Sequence, residues 1–218
     1  MRAAKPRIVK ERPPDVYAAD TPWRLFIAIP MPADAQALIA SITADMKKDD
    51  PPVRWTADGS AHLTLHFLGE VDPSRAELLR LAFPKFSSPQ TAFSIATDAL
   101  GCFPDEGPPL VIWLGLTGET RELTAFQRAL AVSLRNIAVQ SEDRAFRPHI
   151  TLGRIRDDVS CEVADALRAR IGEAAVNERV RAGSAAIPVR EIQLVRSYLE
   201  RTGPRHEVIA VSHLRDAG

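Results

Sequence analysis

Two short runs, His62-Leu63-Thr64-Leu65 and His149-Ile150-Thr151-Leu152, share one pattern, and no other pattern in the sequence returns so cleanly. Each alternates a polar residue able to do chemistry with an apolar one, the period-two signature of a half-buried strand. On such a strand the imidazole and the hydroxyl share a face about 6.6–7 Å apart, so they can flank a small group such as a phosphate. Two such strands facing each other would surround it.

An imidazole is the side chain best matched to moving a proton near neutral pH. One neutral histidine can deprotonate an attacking water or hydroxyl while a second, protonated, gives its proton to the leaving oxygen. Thr64 and Thr151 can donate hydrogen bonds to non-bridging phosphate oxygens as charge builds. A catalytic metal is a weaker alternative: His62 and His66, four positions apart, would stand about 13 Å apart along a strand, and no His-Glu-x-x-His helix or cysteine cluster accompanies them. A threonine nucleophile lacks a distinct carboxylate to complete a triad. Two merely buried, hydrogen-bonded histidines form the structural alternative, and the repetition of the pattern weighs against it.

The surrounding chain supplies elements that can present these strands. Leu25 to Ile29 reads as a buried strand closed by Pro30 and Pro32, and Leu38, Ile39, Ile42 and Met46 form one helical face with Asp34 near its N-terminal end. Val53 to Trp55 is a short strand before the turn at Asp58-Gly59. Asp72-Pro73 starts a helix whose expected buried face is Leu78, Leu79 and Ala82. Phe93 to Ala99 and Leu110 to Leu116 read as antiparallel strands joined by a Pro/Gly-rich loop. Thr120 is the expected cap of a helix with a stripe of Leu123, Phe126, Leu130, Leu134 and Ile137. A polar loop from Ser141 to Arg147 leads into the second motif strand. Ser160 caps a further helix, and Glu191 to Leu199 with Glu207 to Val211 forms a hairpin. Helices are too sparse for a doubly wound parallel sheet. An α+β fold with two similar lobes, each giving one motif strand to a shared cleft, accounts for the rhythm.

The 218 residues are 45% hydrophobic and 26% charged, ordinary for a folded globular chain. Lys plus Arg and Asp plus Glu each number 28, so the formal net charge is zero and a broad basic footprint for long duplexes is absent. The two cysteines, Cys102 and Cys161, have no metal or redox spacing, which suits a reducing cytoplasm. No apolar run approaches the roughly 18 residues of a membrane span. Residues 1–22, where prolines alternate with basic residues, read as a flexible extension ahead of a single bilobal domain over 23–218, and a monomer is expected.

The stretches His62-Leu63-Thr64-Leu65-His66-Phe67-Leu68-Gly69-Glu70-Val71 and Arg147-Pro148-His149-Ile150-Thr151-Leu152-Gly153-Arg154-Ile155 together resemble the paired motifs of the two-histidine (2H) phosphoesterases. Within that superfamily the chain is most similar to the RNA 2′,3′-cyclic phosphodiesterases, also called 2′,5′ RNA ligase-like proteins. Arg24 to Pro30 and Val111 to Gly115 are similar to further landmarks, and the resemblance runs from about Trp23 to Val211. It implies a bilobal α+β fold with pseudo-twofold symmetry, two antiparallel sheets flanked by helices around a central cleft. It also implies hydrolysis of RNA 2′,3′-cyclic phosphate ends to 2′-phosphomonoesters without metal or cofactor. The usual assignment, carried over, makes His62 proton donor and His149 proton acceptor, with Thr64, Thr151 and Arg154 binding substrate. Strict alternation points Arg154 away from Thr151 unless a bulge restores it. His66 shares parity with His62 and either lines the cleft as a cation or caps its rim. Phe26 is a core residue or a base-stacking one, and His206 and His213 lie outside any motif. Two alternatives stay open: a phosphodiesterase of small cyclic nucleotides or ADP-ribose cyclic phosphate, and a module that binds RNA ends without turnover.

Overall fold

The computed structural model describes residues 21–48, 50–139, 145–156, 158–176, 184–200 and 203–216. The expected extension over 1–22 lies outside them except for Thr21 and Pro22, as do residues 141–144 of the expected polar loop. In chain order the elements are β1 (Trp23–Pro30), α1 (Ala33–Lys47), β2 (Val53–Trp55), β3 (His62–Val71), α2 (Pro73–Ala82), a 3-10 turn (Phe83–Lys85), β4 (Phe93–Phe103), β5 (Val111–Gly118), α3 (Thr120–Asn136), β6 (Ile150–Ile155), α4 (Cys161–Val176), β7 (Ala186–Val189), β8 (Glu191–Glu200) and β9 (Gly203–His213). No described helix is long and apolar enough to cross a membrane.

Local chemistry explains most of these boundaries. At α2, the Asp72 carboxylate accepts the Ser74 amide at 3.0 Å and Pro73 occupies the first helical position. Its core face differs from expectation: Ala76, Leu79 and Phe83 are buried, at i, i+3 and i+7, while Leu78 is 64% exposed. Helix α3 buries Leu123, Phe126, Leu130 and Leu134, with Ile137 at its C-terminal cap. Thr120 is its first helical residue rather than its cap. Glu119 holds the cap position, and its carboxylate instead accepts the Ser94 amide of β4 at 2.6 Å. Strand β7, which carries Pro188, pairs along the outer side of β4. Proline is tolerated there because an edge strand needs donors on one side only, and it hides the strand from a pattern search.

The strands form one curled antiparallel sheet in the order β7-β4-β5-β6-β3-β1-β8-β9, with β2 also paired to β6. Its two halves, β6-β5-β4-β7 and β3-β1-β8-β9, are related by a pseudo-twofold, so the α+β bilobal architecture holds, but the two expected sheets are one, because β3 pairs with β6 across the junction. The halves meet at the motif strands, where the one registered pair is Leu63 with Ile150. Both side chains are fully buried, and the core on that face, including Leu25, Ile27, Ile112 and Leu114, is covered by the helices. Burial of each such side chain supplies roughly 1.5–3 kcal/mol. The other face is left for the site.

Candidate active site

The Leu63–Ile150 pair sits on the pseudo-twofold itself, because these residues are equivalent in the two motifs. Extending the antiparallel register by one residue sets His62 across from Thr151 and Thr64 across from His149. All four are half-buried, whereas Leu63, Leu65, Ile150 and Leu152 between them are buried. Alternation thus divides each motif into an apolar side for the core and a polar side for the cleft.

The two imidazoles are held alike. The Nδ1 atom of His62 lies 2.9 Å from the Ser60 carbonyl oxygen, and that of His149 lies 2.6 Å from the Arg147 carbonyl oxygen. A carbonyl only accepts, so Nδ1 carries the proton in both rings and Nε2 is left to face the cleft. Burial lowers the pKa of His62 from its ordinary value, against a smaller upward pull from the Ser60 bond. Burial likewise lowers that of His149, opposed by the Arg147 carbonyl, and the Arg147 and Arg154 charges lower it further.

The surroundings of the rings differ. His62 stacks on Phe26 at 4.9 Å between centroids, and His206 from β9 stands edge-on to both rings, at 5.4 Å from His62 and 5.0 Å from Phe26. Phe26 is 4% exposed, but it belongs to a small cluster with Ala28 and Val195 on the cleft side, separate from the main core. His149 instead meets the edge of Phe103 at 5.0 Å. The Arg147 guanidinium lies over that phenyl ring at 4.1 Å and pairs with Asp105 at 2.8 Å. Arg168 of α4 ties down the same loop by donating to the carbonyl oxygens of Pro104 and Asp105, each at 2.9 Å.

Bulges redirect two of the expected residues. In the β1–β3 ladder Ile27 pairs with His66 and Ala28 with Thr64, leaving Leu65 as an extra residue. Parity changes there, so His66 turns away from the cleft. It is 4% exposed, its Nε2 donates to the Gln127 carbonyl of α3 at 2.8 Å, and burial lowers its pKa. Neither role expected for it, cleft cation or rim, fits that position. In the β5–β6 ladder Ile112 pairs with Gly153 and Trp113 with Thr151, leaving Leu152 extra. That bulge brings exposed Arg154 to the face of Thr151. Among the described residues no group of three or more His, Cys, Asp or Glu side chains is placed to share a metal ion.

A family model described as LigT like phosphoesterase matches residues 29–113. An RNA 2′,3′-cyclic phosphodiesterase of Aeropyrum pernix is 31% identical over 160 residues, covering 72% of this chain and 84% of that relative. The chain belongs to the LigT-like phosphoesterase family. A relative of the same name from Geobacillus stearothermophilus is 29% identical over 192 residues, 88% of this chain but 57% of that protein, so the chain spans little more than half of its length. The crystal structure of E. coli LigT complexed with 3′-AMP matches with a TM-score of 0.64 and 26% identity, covering 88% of this chain and 98% of that one. The segment matched by the LigT-like model contains His62, Thr64 and Trp113, and the second motif lies beyond it. Sequence reasoning passed over His206, Phe103 and the Arg147–Asp105 pair. His206 arrives by the curl of the sheet, which leaves no trace in local pattern. Arg147 did leave a signal, since it stands two residues before His149 as Ser60 stands two before His62.

Proposed function

We propose that this chain hydrolyses RNA 2′,3′-cyclic phosphodiester ends to 2′-phosphomonoesters by paired-histidine acid–base catalysis. The observation that carries the proposal is that two imidazoles, pinned at Nδ1 by the carbonyl two residues upstream, present Nε2 from frames related by a pseudo-twofold. The names of the relatives in the family support the same substrate. His149 Nε2 takes a proton from water as the water oxygen attacks phosphorus. The bond to the 3′ oxygen breaks on the opposite side, and that oxygen receives the proton of His62 Nε2. The chain is left with His149 protonated and His62 neutral, and exchange with solvent resets both. Thr64, Thr151 and Arg154 hold the non-bridging oxygens while charge accumulates.

Burial disfavours the protonated form of both rings, and the cations beside His149 add to that, which supports His149 as the base. A base must begin neutral, and the cations Arg147 and Arg154 disfavour the protonated form of His149. Among the described residues no arginine acts on His62 in the same way.

The reaction needs no metal, so purified protein with EDTA should convert a cyclic-phosphate oligonucleotide to the 2′-monoester alone. His62→Ala and His149→Ala should each lower kcat by about 10²- to 10⁴-fold without moving the melting temperature by more than a few degrees. Unchanged substrate, or a variant with full activity, would overturn the assignment.

A further inference from the structure

Strand β2 lies along β6 for three residues, and the register sets Arg54 directly across from Arg154. Opposed residues of an antiparallel pair share a face. Val53 and Ile155, one step along, are both buried in the core, so the two arginines point to the other side, the side of Thr151. Both are exposed. Among the described residues neither has a carboxylate partner, whereas Arg80, Arg147 and Arg205 each have one. The link between β2 and the motif is direct, since the Thr56 hydroxyl donates to the Thr151 carbonyl oxygen at 3.0 Å.

Like charges set directly across a ladder destabilise it. Two guanidinium groups on one face, one strand apart at about 4.8 Å, form instead a fork suited to phosphate oxygens. Arg154 shares β6 with Thr151, and Arg54 lies across from Arg154 on β2. The arginine nearer the motif therefore serves the cyclic phosphate, and the other lies one strand spacing beyond it, where a substrate with a second phosphate continues.

We propose that Arg54 forms a second phosphate subsite, which binds the phosphodiester on the 5′ side of the terminal nucleoside and makes an RNA chain, rather than a lone nucleotide, the preferred substrate. The proposal rests on the RNA-end activity above. It separates the leading function from the small-nucleotide alternative, because a nucleoside 2′,3′-cyclic phosphate with a free 5′ hydroxyl offers Arg54 nothing to bind.

The test compares such a nucleoside cyclic phosphate with a dinucleotide bearing the same cyclic end. Arg54→Gln should raise KM for the dinucleotide about tenfold at unchanged kcat, and leave both constants for the mononucleoside at wild-type values. Arg54→Lys, which keeps a point charge but not the fork, should fall between. Equal effects on both substrates, or none on either, overturn the subsite. A second readout is independent of turnover: titration with the dinucleotide 2′-monophosphate and its mononucleoside counterpart. A wild-type protein that cleaves neither substrate would remove the activity assignment, while a loss of affinity in Arg54→Gln confined to the dinucleotide would still uphold the subsite. Equal affinities there would overturn it.

Discussion

The charged neighbours of His149 give its titration a sign that can be checked. Arg147 lies beside it and is partly neutralised by Asp105. For a histidine that acts as a base, the acid limb of kcat/KM follows its pKa in the free enzyme. Arg147→Met removes a cation and should move that limb to higher pH. Asp105→Asn leaves Arg147 unopposed and should move it to lower pH, in each case by about half a unit. Opposite shifts distinguish an electrostatic role from simple loss of packing, which would depress both profiles without moving them apart. Stability has its own pH dependence. His62, His66, His149 and His206 are all lowered from 6.5, chiefly by burial. The unfolded chain therefore takes up protons before the folded one, so stability is complete above the unfolded value and lost as pH falls through the folded values. The urea midpoint should be lower at about pH 5.5 than at about pH 7.5, and His66→Gln should narrow that difference. His66 also shows what sequence could not supply. Its parity with His62 is plain in the chain, but the extra residue at Leu65 that reverses it exists only in the pairing with β1.

At the scale of elements, the motif strands were legible because each carries its own alternation, and α2 because its capping aspartate and proline are local chemistry. What escaped depends on partners. Strand β7 has a proline and four residues, and is a strand because β4 offers it an edge. The buried face of α2 rotated from the expected one because Phe83, beyond the helix, joins Ala76 and Leu79 in the core. The junction of the halves invites a direct test. Leu63→Ala removes a fully buried side chain where β3 meets β6 and should cost about 2–5 kcal/mol, read from urea unfolding. Because the same pair sets His62 against Thr151 and His149 against Thr64, activity should fall further than the loss of folded protein alone would explain. A variant on the outer part of the core, such as Ile187→Ala in β7, should lose comparable stability with activity per folded molecule preserved.

For the molecule as a whole, zero formal charge fits the proposed recognition of an end rather than a length of nucleic acid. Binding to single strands should weaken with salt by about 0.7 in log–log slope per phosphate neutralised. One or two phosphates, at Arg154 and Arg54, predict a shallow slope that does not steepen as the oligonucleotide is lengthened beyond two nucleotides. A steep, length-dependent slope would point to a basic track that the composition does not provide. The bilobal arrangement was legible from the recurrence of the motif, but the continuity of the sheet was not, since the Leu63–Ile150 pair joins residues from distant parts of the chain. That pair has a further consequence. In the vocabulary of assemblies it is an isologous contact, the kind two identical subunits make across a dyad, folded into one polypeptide. A substitution at the axis is therefore met by its own counterpart and acts once on both halves. One displaced from the axis, at His62 or His149, acts on a single half and leaves its twin intact. Divergence of the two histidines into the proposed donor and acceptor can thus proceed one side at a time, with the seam between them fixed.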